Sequence, residues 1–181
     1  MKPWMSEKEI QKIISYLKPE HSMLEYGCGG STLKFSKSVK KYYSIEHNKE
    51  WFDKIQKQKL PNTEMQFVAR HSDTSGKNRI ISTSWEELEN SSRYKDFKEY
   101  IQSATKFNTE FDAVLIDGRA RPESAKFIFP LLKDDGVLFL HDYFQRKHYH
   151  VIESHYTLID SVKSGQSLGI FKKKQDTHFN V

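Results

Sequence analysis

Four short stretches of the 181-residue chain carry side chains able to do chemistry. The first is Gly27-Cys28-Gly29-Gly30-Ser31-Thr32, whose glycines let the backbone come close to a ligand. A helix starting there would aim free N–H groups at a carboxylate or phosphate. The second is Glu46-His47, with Glu46 19 residues after Gly27. An acidic side chain at about that distance, ending a second strand, accepts hydrogen bonds from a ribose. The third is Asp117-Gly118-Arg119-Ala120-Arg121-Pro122, a carboxylate followed by two arginines whose planar guanidinium groups suit a carboxylate, phosphate or sulfate. The fourth is His141-Asp142. Asp117, His141 and Asp142 leave two chemistries open: ligands for Mg²⁺ or a similar divalent ion, or a metal-free general base. Thr32 stands where a dinucleotide fingerprint needs its third glycine, and the Gly-Lys-Ser/Thr of a Walker loop is absent.

The elements that must position these residues follow from apolar spacing. Ser6 and Glu9 have capping-box spacing, and Ile10, Ile13, Ile14 and Leu17 form one stripe, predicting a helix over 6–18 that stops before Pro19. Strands are expected at 22–26, 42–46, 64–68, 111–116 and 137–140. Helices are expected after Thr32, over 49–59 with Trp51, Phe52 and Ile55 inward, over about 94–105, and from Pro122 to near Leu132. Asp134-Asp135-Gly136 reads as a turn. Two last strands, about 156–162 and 167–173, are joined by a turn containing Lys163-Ser164-Gly165. Strand and helix alternate, so the expected fold is α/β: a doubly wound, Rossmann-like, mostly parallel sheet with a C-terminal antiparallel hairpin. It reads as one domain over 1–181, with a cofactor half at 22–70 and an acceptor and catalytic half at 111–173. Ligands of such sheets bind beyond the carboxyl ends of the strands, and all four stretches lie there.

Leu24-Glu25-Tyr26-Gly27-Cys28-Gly29-Gly30-Ser31-Thr32, together with Tyr43-Ser44-Ile45-Glu46-His47, resembles the first two motifs of class I S-adenosylmethionine-dependent methyltransferases. Phe111 to Asp117 and Leu131 to Leu138 are similar to their fourth- and fifth-strand motifs, over a resemblance spanning roughly 22–173. The resemblance implies S-adenosylmethionine as cofactor. Glu25, Gly27, Gly29, Gly30, Ser31 and Thr32 would hold its methionine end, Glu46 with His47 its ribose, and Asp117 would lie beside it. Ser31 replaces a glycine there and offers a hydroxyl to the methionine carboxylate. Adenine is expected near Asp73 or Trp85. Asp117 with His141-Asp142 resembles the ion site of metal-dependent O-methyltransferases, with His-Asp where those have Asp-Asn or Asp-Asp. The alternatives are that His141 or Asp142 acts directly as base, or that the pair has no catalytic part. The Asn/Asp-Pro-Pro-Tyr/Phe element of enzymes that methylate exocyclic amines is missing. Asp-Gly-Arg-Ala-Arg-Pro followed by His-Asp-Tyr is also distantly similar to the family that O-methylates glucuronic acid in xylan. An O-methyltransferase acting on an anionic small molecule or saccharide is therefore expected, with Arg119 and Arg121 gripping the acceptor.

Composition bounds the alternatives. Lys+Arg exceed Asp+Glu by 29 to 24, and 12 Phe, 9 Tyr and 3 Trp supply a core. After Asp142 there are six Lys/Arg against three acids, so much of the excess reads as solubility. An RNA methyltransferase would exploit that charge and remains an alternative, as do an NAD-linked reductase and a non-catalytic cofactor-binding protein. The one cysteine, Cys28, excludes an internal disulfide and a multi-cysteine zinc site, and reads as a small filler. No apolar run approaches the ~20 residues of a membrane helix. The start Met-Lys-Pro-Trp-Met-Ser-Glu-Lys-Glu has no signal-peptide core, so a cytoplasmic protein without membrane contact is expected. With little chain outside the core fold to form a lid, either a homodimer partner completes the acceptor site or a large acceptor stays partly exposed.

Overall fold

Ser6 caps the first helix as its spacing predicts: its hydroxyl accepts the Glu9 N–H at 3.3 Å, while Glu9 Oε2 accepts the Ser6 N–H at 2.7 Å. That helix, α1, runs Glu7–Tyr16 in the computed structural model, which describes residues 1–73, 79–163 and 165–175. β1 (Ser22–Tyr26), α2 (Gly30–Phe35), β2 (Lys41–Glu46), α3 (Lys49–Gln56) and β3 (Thr63–Phe67) follow. Beyond a long irregular stretch come α4 (Ser92–Gln102), β4 (Phe111–Ile116), α5 (Arg121–Ile128), β5 (Leu132–His141), β6 (Tyr156–Val162) and β7 (Leu168–Lys173). The strands form one sheet in the order β3-β2-β1-β4-β5-β7-β6. β1 to β5 pair in parallel, while β7 is antiparallel to both β5 and β6. This is the expected doubly wound sheet with its terminal hairpin; Ser164 of the expected turn lies outside the described residues.

The strands read as continuous apolar runs because both faces of the sheet are covered. Met23, Tyr42, Ala113, Leu115, Val137 and Phe139 pack on one side with Ile10 and Ile13 of α1 and Phe35 of α2. Leu24, Tyr26, Ile45, Val114, Ile116, Leu138 and Leu140 pack on the other with Phe97, Tyr100 and Ile101 of α4 and Ala125 and Ile128 of α5. No helix among the described residues is long and apolar enough to cross a membrane.

Three expectations change. β5 begins at Leu132, and the register steps from Phe111↔Leu132 to Ala113↔Val137, so Asp134-Asp135-Gly136 is an irregularity inside the strand rather than a turn before it. A Cβ on Gly136 would lie 2.7 Å from Leu132 Cδ1, a backbone approach typical of a bulge. The helices at 49–59, 94–105 and 122–132 are shorter than their apolar patterns suggest; the last two tighten into 3-10 turns at Ser103–Phe107 and Phe129–Leu131. Trp51, expected inward, is 37% exposed and meets the exposed Trp4 edge to face at 6.4 Å.

Candidate functional site

Register assembles the site. Tyr26 pairs with Ile45 on one side and Ile116 on the other, and Ile116 pairs with Leu140. One residue further on, Gly27, Glu46, Asp117 and His141 therefore stand side by side on one rim. The strand order reverses between β1 and β4, the topological switch point where such sheets open a crevice. A cleft of about 410 Å³ lies there, lined by the glycine turn with Glu25, by Glu46, His47 and Asn48, by Asp117, Gly118, Arg119 and Arg121, and by His141 and Asp142. Its size is that of a small-molecule site.

The glycine turn is held from beneath. Gly27 has φ +107°, a left-handed region that disfavours any side chain, and its N–H donates to Ile45 O at 2.8 Å. Glu25 is buried below the turn and accepts from the hydroxyls of Ser31, Thr32 (2.5 Å) and Tyr42 (2.9 Å). Burial outweighs these hydrogen bonds and raises its pKa to about 8. The Thr32 hydroxyl also accepts the Gly29 N–H at 3.0 Å. Thr32 is wholly buried and the Ser31 hydroxyl turns inward, so both shape the turn rather than offer a group to the methionine carboxylate. What faces the cleft is backbone, above all at Gly29, around which only Ser31 Oγ comes within 4 Å of an added Cβ, at 3.9 Å.

Glu46 has the opposite character. Its carboxylate accepts N–H groups of Cys28 (2.8 Å), His47 (2.8 Å) and Asn48 (2.7 Å). Burial would raise its pKa, but the His47 side chain and these backbone donors prevail and hold it below the usual carboxylate range. A fixed, ionised carboxylate at this rim matches a pair of ribose hydroxyls. His47 lines the cleft, with its ring edge against Phe97 (5.3 Å) and Tyr100 (5.8 Å). The Cys28 thiol is pushed up by burial and by the Glu46 and Glu25 charges, which suits a filler and not a nucleophile.

The remaining residues divide differently from expectation. His141 is 2% exposed, with Nδ1 2.8 Å from Asp117 Oδ1 and Nε2 3.5 Å from Glu9 Oε1. Burial opposes its protonation, but the neighbouring Asp117 carboxylate overrides it and raises the pKa. Both ring nitrogens face carboxylates, Nδ1 that of Asp117 and Nε2 that of Glu9, while the residue also lines the cleft. Glu9 is fully buried and was not legible as a site residue, because its capping-box spacing explained it completely. Arg121 is only 9% exposed. Its Nε donates to Gly118 O at 3.0 Å, Nη1 to His141 O, and Nη2 lies 3.1 Å from Asp142 Oδ2 and 3.4 Å from Asp117 Oδ1. Its donors are committed to the interior, whereas Arg119 is exposed, lines the cleft and makes no ion pair among the described residues.

The same geometry corrects the metal expectation. Among the described residues no group of three or more His, Cys, Asp or Glu is arranged to hold a metal ion. Asp117, His141 and Asp142 do meet, but the Arg121 guanidinium already sits between the two carboxylates as their counter-charge, and His141 Nδ1 is spent on Asp117. The donor set does not fit a divalent ion. The adenine expectation also shifts. Trp85 is buried, stacked on His155 at 4.2 Å and packed with Phe129 and Tyr156, and Asp73 pairs with Arg70 at 2.5 Å; neither lines the cleft. The cleft extends instead toward Trp51 and toward Met1, Lys2 and Trp4, which fold across the glycine turn. A Cβ on Gly30 would collide with the backbone of Lys2 and Pro3. The first residues thus form a partial cover, where the sequence offered no segment for one.

No family model matches the chain, and no curated protein matches it either. Solved structures do. A methyltransferase-like protein from Silicibacter pomeroyi is 22% identical, with a TM-score of 0.65 over 94% of this chain and 88% of that one. An rRNA methylase from Streptococcus thermophilus is 14% identical, TM-score 0.56, over 93% and 95%. A TehB-like SAM-dependent methyltransferase from Corynebacterium glutamicum is 16% identical, TM-score 0.55, over 92% and 87%. At these identities the likeness is one of fold: the chain has the class I methyltransferase fold.

Proposed function

We propose that this chain, built on the class I methyltransferase fold, moves the methyl group of S-adenosylmethionine to a hydroxyl of an anionic small molecule or saccharide. The observation that carries the reading is the register that sets an open glycine backbone, an ionised Glu46 and two carboxylates around one cleft of about 410 Å³. The cofactor would supply a methyl already activated on a sulfonium. The backbone of Gly27 to Ser31 holds its methionine end, with Glu25 and Thr32 fixing that backbone from below. Glu46 accepts the ribose hydroxyls, and His47 walls that side of the cleft.

The acceptor side is a set of carboxylates of fixed direction. Asp117 and Asp142 face the cleft with side chains 24% and 20% exposed, close to the methionine end of the turn. Each gives one oxygen to Arg121 and keeps the other for the acceptor hydroxyl, whose proton would pass to a carboxylate as the new C–O bond forms and the methyl's C–S bond breaks, its electron pair staying on sulfur. His141, held by Glu9, keeps Asp117 in place, and Arg119 meets the acceptor's negative charge at the mouth. Alignment is what the protein contributes: an in-line approach of oxygen to methyl gains from a fixed near-attack geometry.

Calorimetry with S-adenosylhomocysteine tests the reading. The expected result is one site per chain, weakened at least tenfold by Glu46→Ala, a loss of about 1.4 kcal/mol or more. No binding to the unaltered protein, or equal binding to Glu46→Ala, would sink the proposal.

A further inference from the structure

Across the loop of Gly118 to Arg121 from the main cleft lies a second, much smaller cavity of about 80 Å³. Its charged lining is unusual. Arg79, Arg93, Arg119, Arg121 and Arg146 all contribute, with His148 and a single carboxylate, Glu123. Arg121 is paired with Asp117 and Asp142, and Arg146 lies 3.4 Å from Asp142. Arg79, Arg93 and Arg119 make no ion pair among the described residues. Like charges brought together with few counter-charges cost free energy, which a bound anion returns. That crowding registers on the groups themselves. The pKa of Arg93 is lowered by burial and by Arg79 and Arg119, and that of His148 by burial and by Arg79, Arg146 and Arg93.

Glu123 supplies a second, independent observation. It is 6% exposed; Oε1 accepts the Ser91 hydroxyl at 2.6 Å, while Oε2 is buried in this lining with no hydrogen-bond partner. Burial prevails over the Ser91 hydrogen bond and the nearby Arg93 and Arg79, so its pKa is raised. In its protonated form this carboxyl is a donor, and an acceptor oxygen would then be its partner. The cavity is also narrow: it has room for one tetrahedral oxyanion, not for a sugar ring or a run of backbone phosphates.

We infer that this cavity binds the doubly charged oxyanion of a phosphate monoester carried by the acceptor, with Arg79, Arg93 and Arg119 as its principal ligands. The assignment to an acceptor rests on the methyl-transfer reading above; the anion site itself does not. Gly118, Arg119 and Arg121 line both cavities, so an ester group anchored in the small one leaves a neighbouring hydroxyl free to reach Asp117 and Asp142 in the large one. Planar guanidinium groups bind such oxyanions by paired hydrogen bonds, and three of them discriminate a dianion from the single charge of a carboxylate.

The test is calorimetry at constant ionic strength with inorganic phosphate, inorganic sulfate and glucuronate, run on the unaltered protein, Arg93→Gln and Arg79→Gln. S-adenosylhomocysteine is titrated in parallel. The expected result is saturable binding of one phosphate or sulfate per chain, at least tenfold tighter than glucuronate. Each substitution should weaken it at least tenfold while S-adenosylhomocysteine binding changes less than twofold. Inorganic sulfate, a tetrahedral dianion like the phosphate monoester group, is expected to bind the same site. Arg79 lies on an exposed loop, so its variant keeps the test valid if Arg93→Gln misfolds. The inference is overturned by non-saturable binding, by equal binding of glucuronate, or by variants that bind phosphate as well as the unaltered protein. It is also overturned if a short single-stranded RNA binds far more tightly than phosphate, with steep salt dependence and loss in the same variants, since the site would then serve nucleic acid. Failure of S-adenosylhomocysteine alone to bind would strike the methyl-transfer reading and leave the oxyanion site standing.

Discussion

Glu25→Gln probes the support beneath the glycine turn. Glu25 is 1% exposed and raised by burial from 4.5 to about 8, so between those values the native protein carries a proton here that the unfolded chain has released. A carboxyl raised in this way stabilises the native state fully below 4.5 and loses that contribution as pH climbs toward 8. The slope is about 1.4 kcal/mol per pH unit, or about 4 kcal/mol between pH 5 and pH 8. Gln has the shape of the protonated side chain and does not titrate, and the Ser31, Thr32 and Tyr42 hydroxyls can rotate to meet it. Urea unfolding followed by tryptophan fluorescence at pH 5, 6, 7 and 8 should show Glu25→Gln gaining on the unaltered protein by about that slope. His141 and Glu123 are also raised and tilt both curves the same way, so they cancel in the difference. Glu46 is lowered and acts only below its unfolded value, outside the window. A stability difference that stays constant from pH 5 to pH 8 would mean that Glu25 is ionised in the native protein, and the reasoning would fail.

Two further substitutions separate roles that the sequence merged. Arg121→Gln leaves Asp117 and Asp142 without their buried counter-charge and should cost about 3 kcal/mol in denaturant titration, whereas Arg119→Gln, at an exposed position, should stay within about 0.5 kcal/mol. Equal costs would refute the division between a structural and a ligand-facing arginine. Gly118→Ala drives a methyl into the Tyr100 hydroxyl and to 3.0 Å from Tyr26 O, and should lower stability by about 1–3 kcal/mol with a matching fall in thermal midpoint; an unchanged midpoint would show that the loop gives way freely.

The fold was legible because its signals are local and mutually consistent. Alternating burial on two faces made 111–116 and 137–140 near-continuous apolar runs, and capping chemistry marked 6–9, so element order and sheet type followed. Helix ends were less legible, because a 3-10 turn continues an apolar pattern without continuing the α-helix. Asp134-Asp135-Gly136 misled for a related reason: turn-forming residues serve equally well in an irregular strand. Trp51 misled because an apolar side chain on a helix reads as core unless something outside the pattern, here Trp4, comes to meet it.

Taken alone, the sequence determined which residue types stand after which strand, and therefore that Gly27, Glu46, Asp117 and His141 share one rim. Parallel register carries that information without further help. What each side chain does there was decided by tertiary structure. Arg119 and Arg121 are two residues apart and chemically identical, yet one faces solvent and the other is locked between two carboxylates. Glu9, 132 residues before His141, comes within 3.5 Å of that histidine, and Arg79 and Arg93, from ahead of β4, line a cavity together with the 118–121 loop. Hydrogen bonds, desolvation and ion pairs depend on which groups meet in space. For residues far apart in the chain, only the folded packing specifies that.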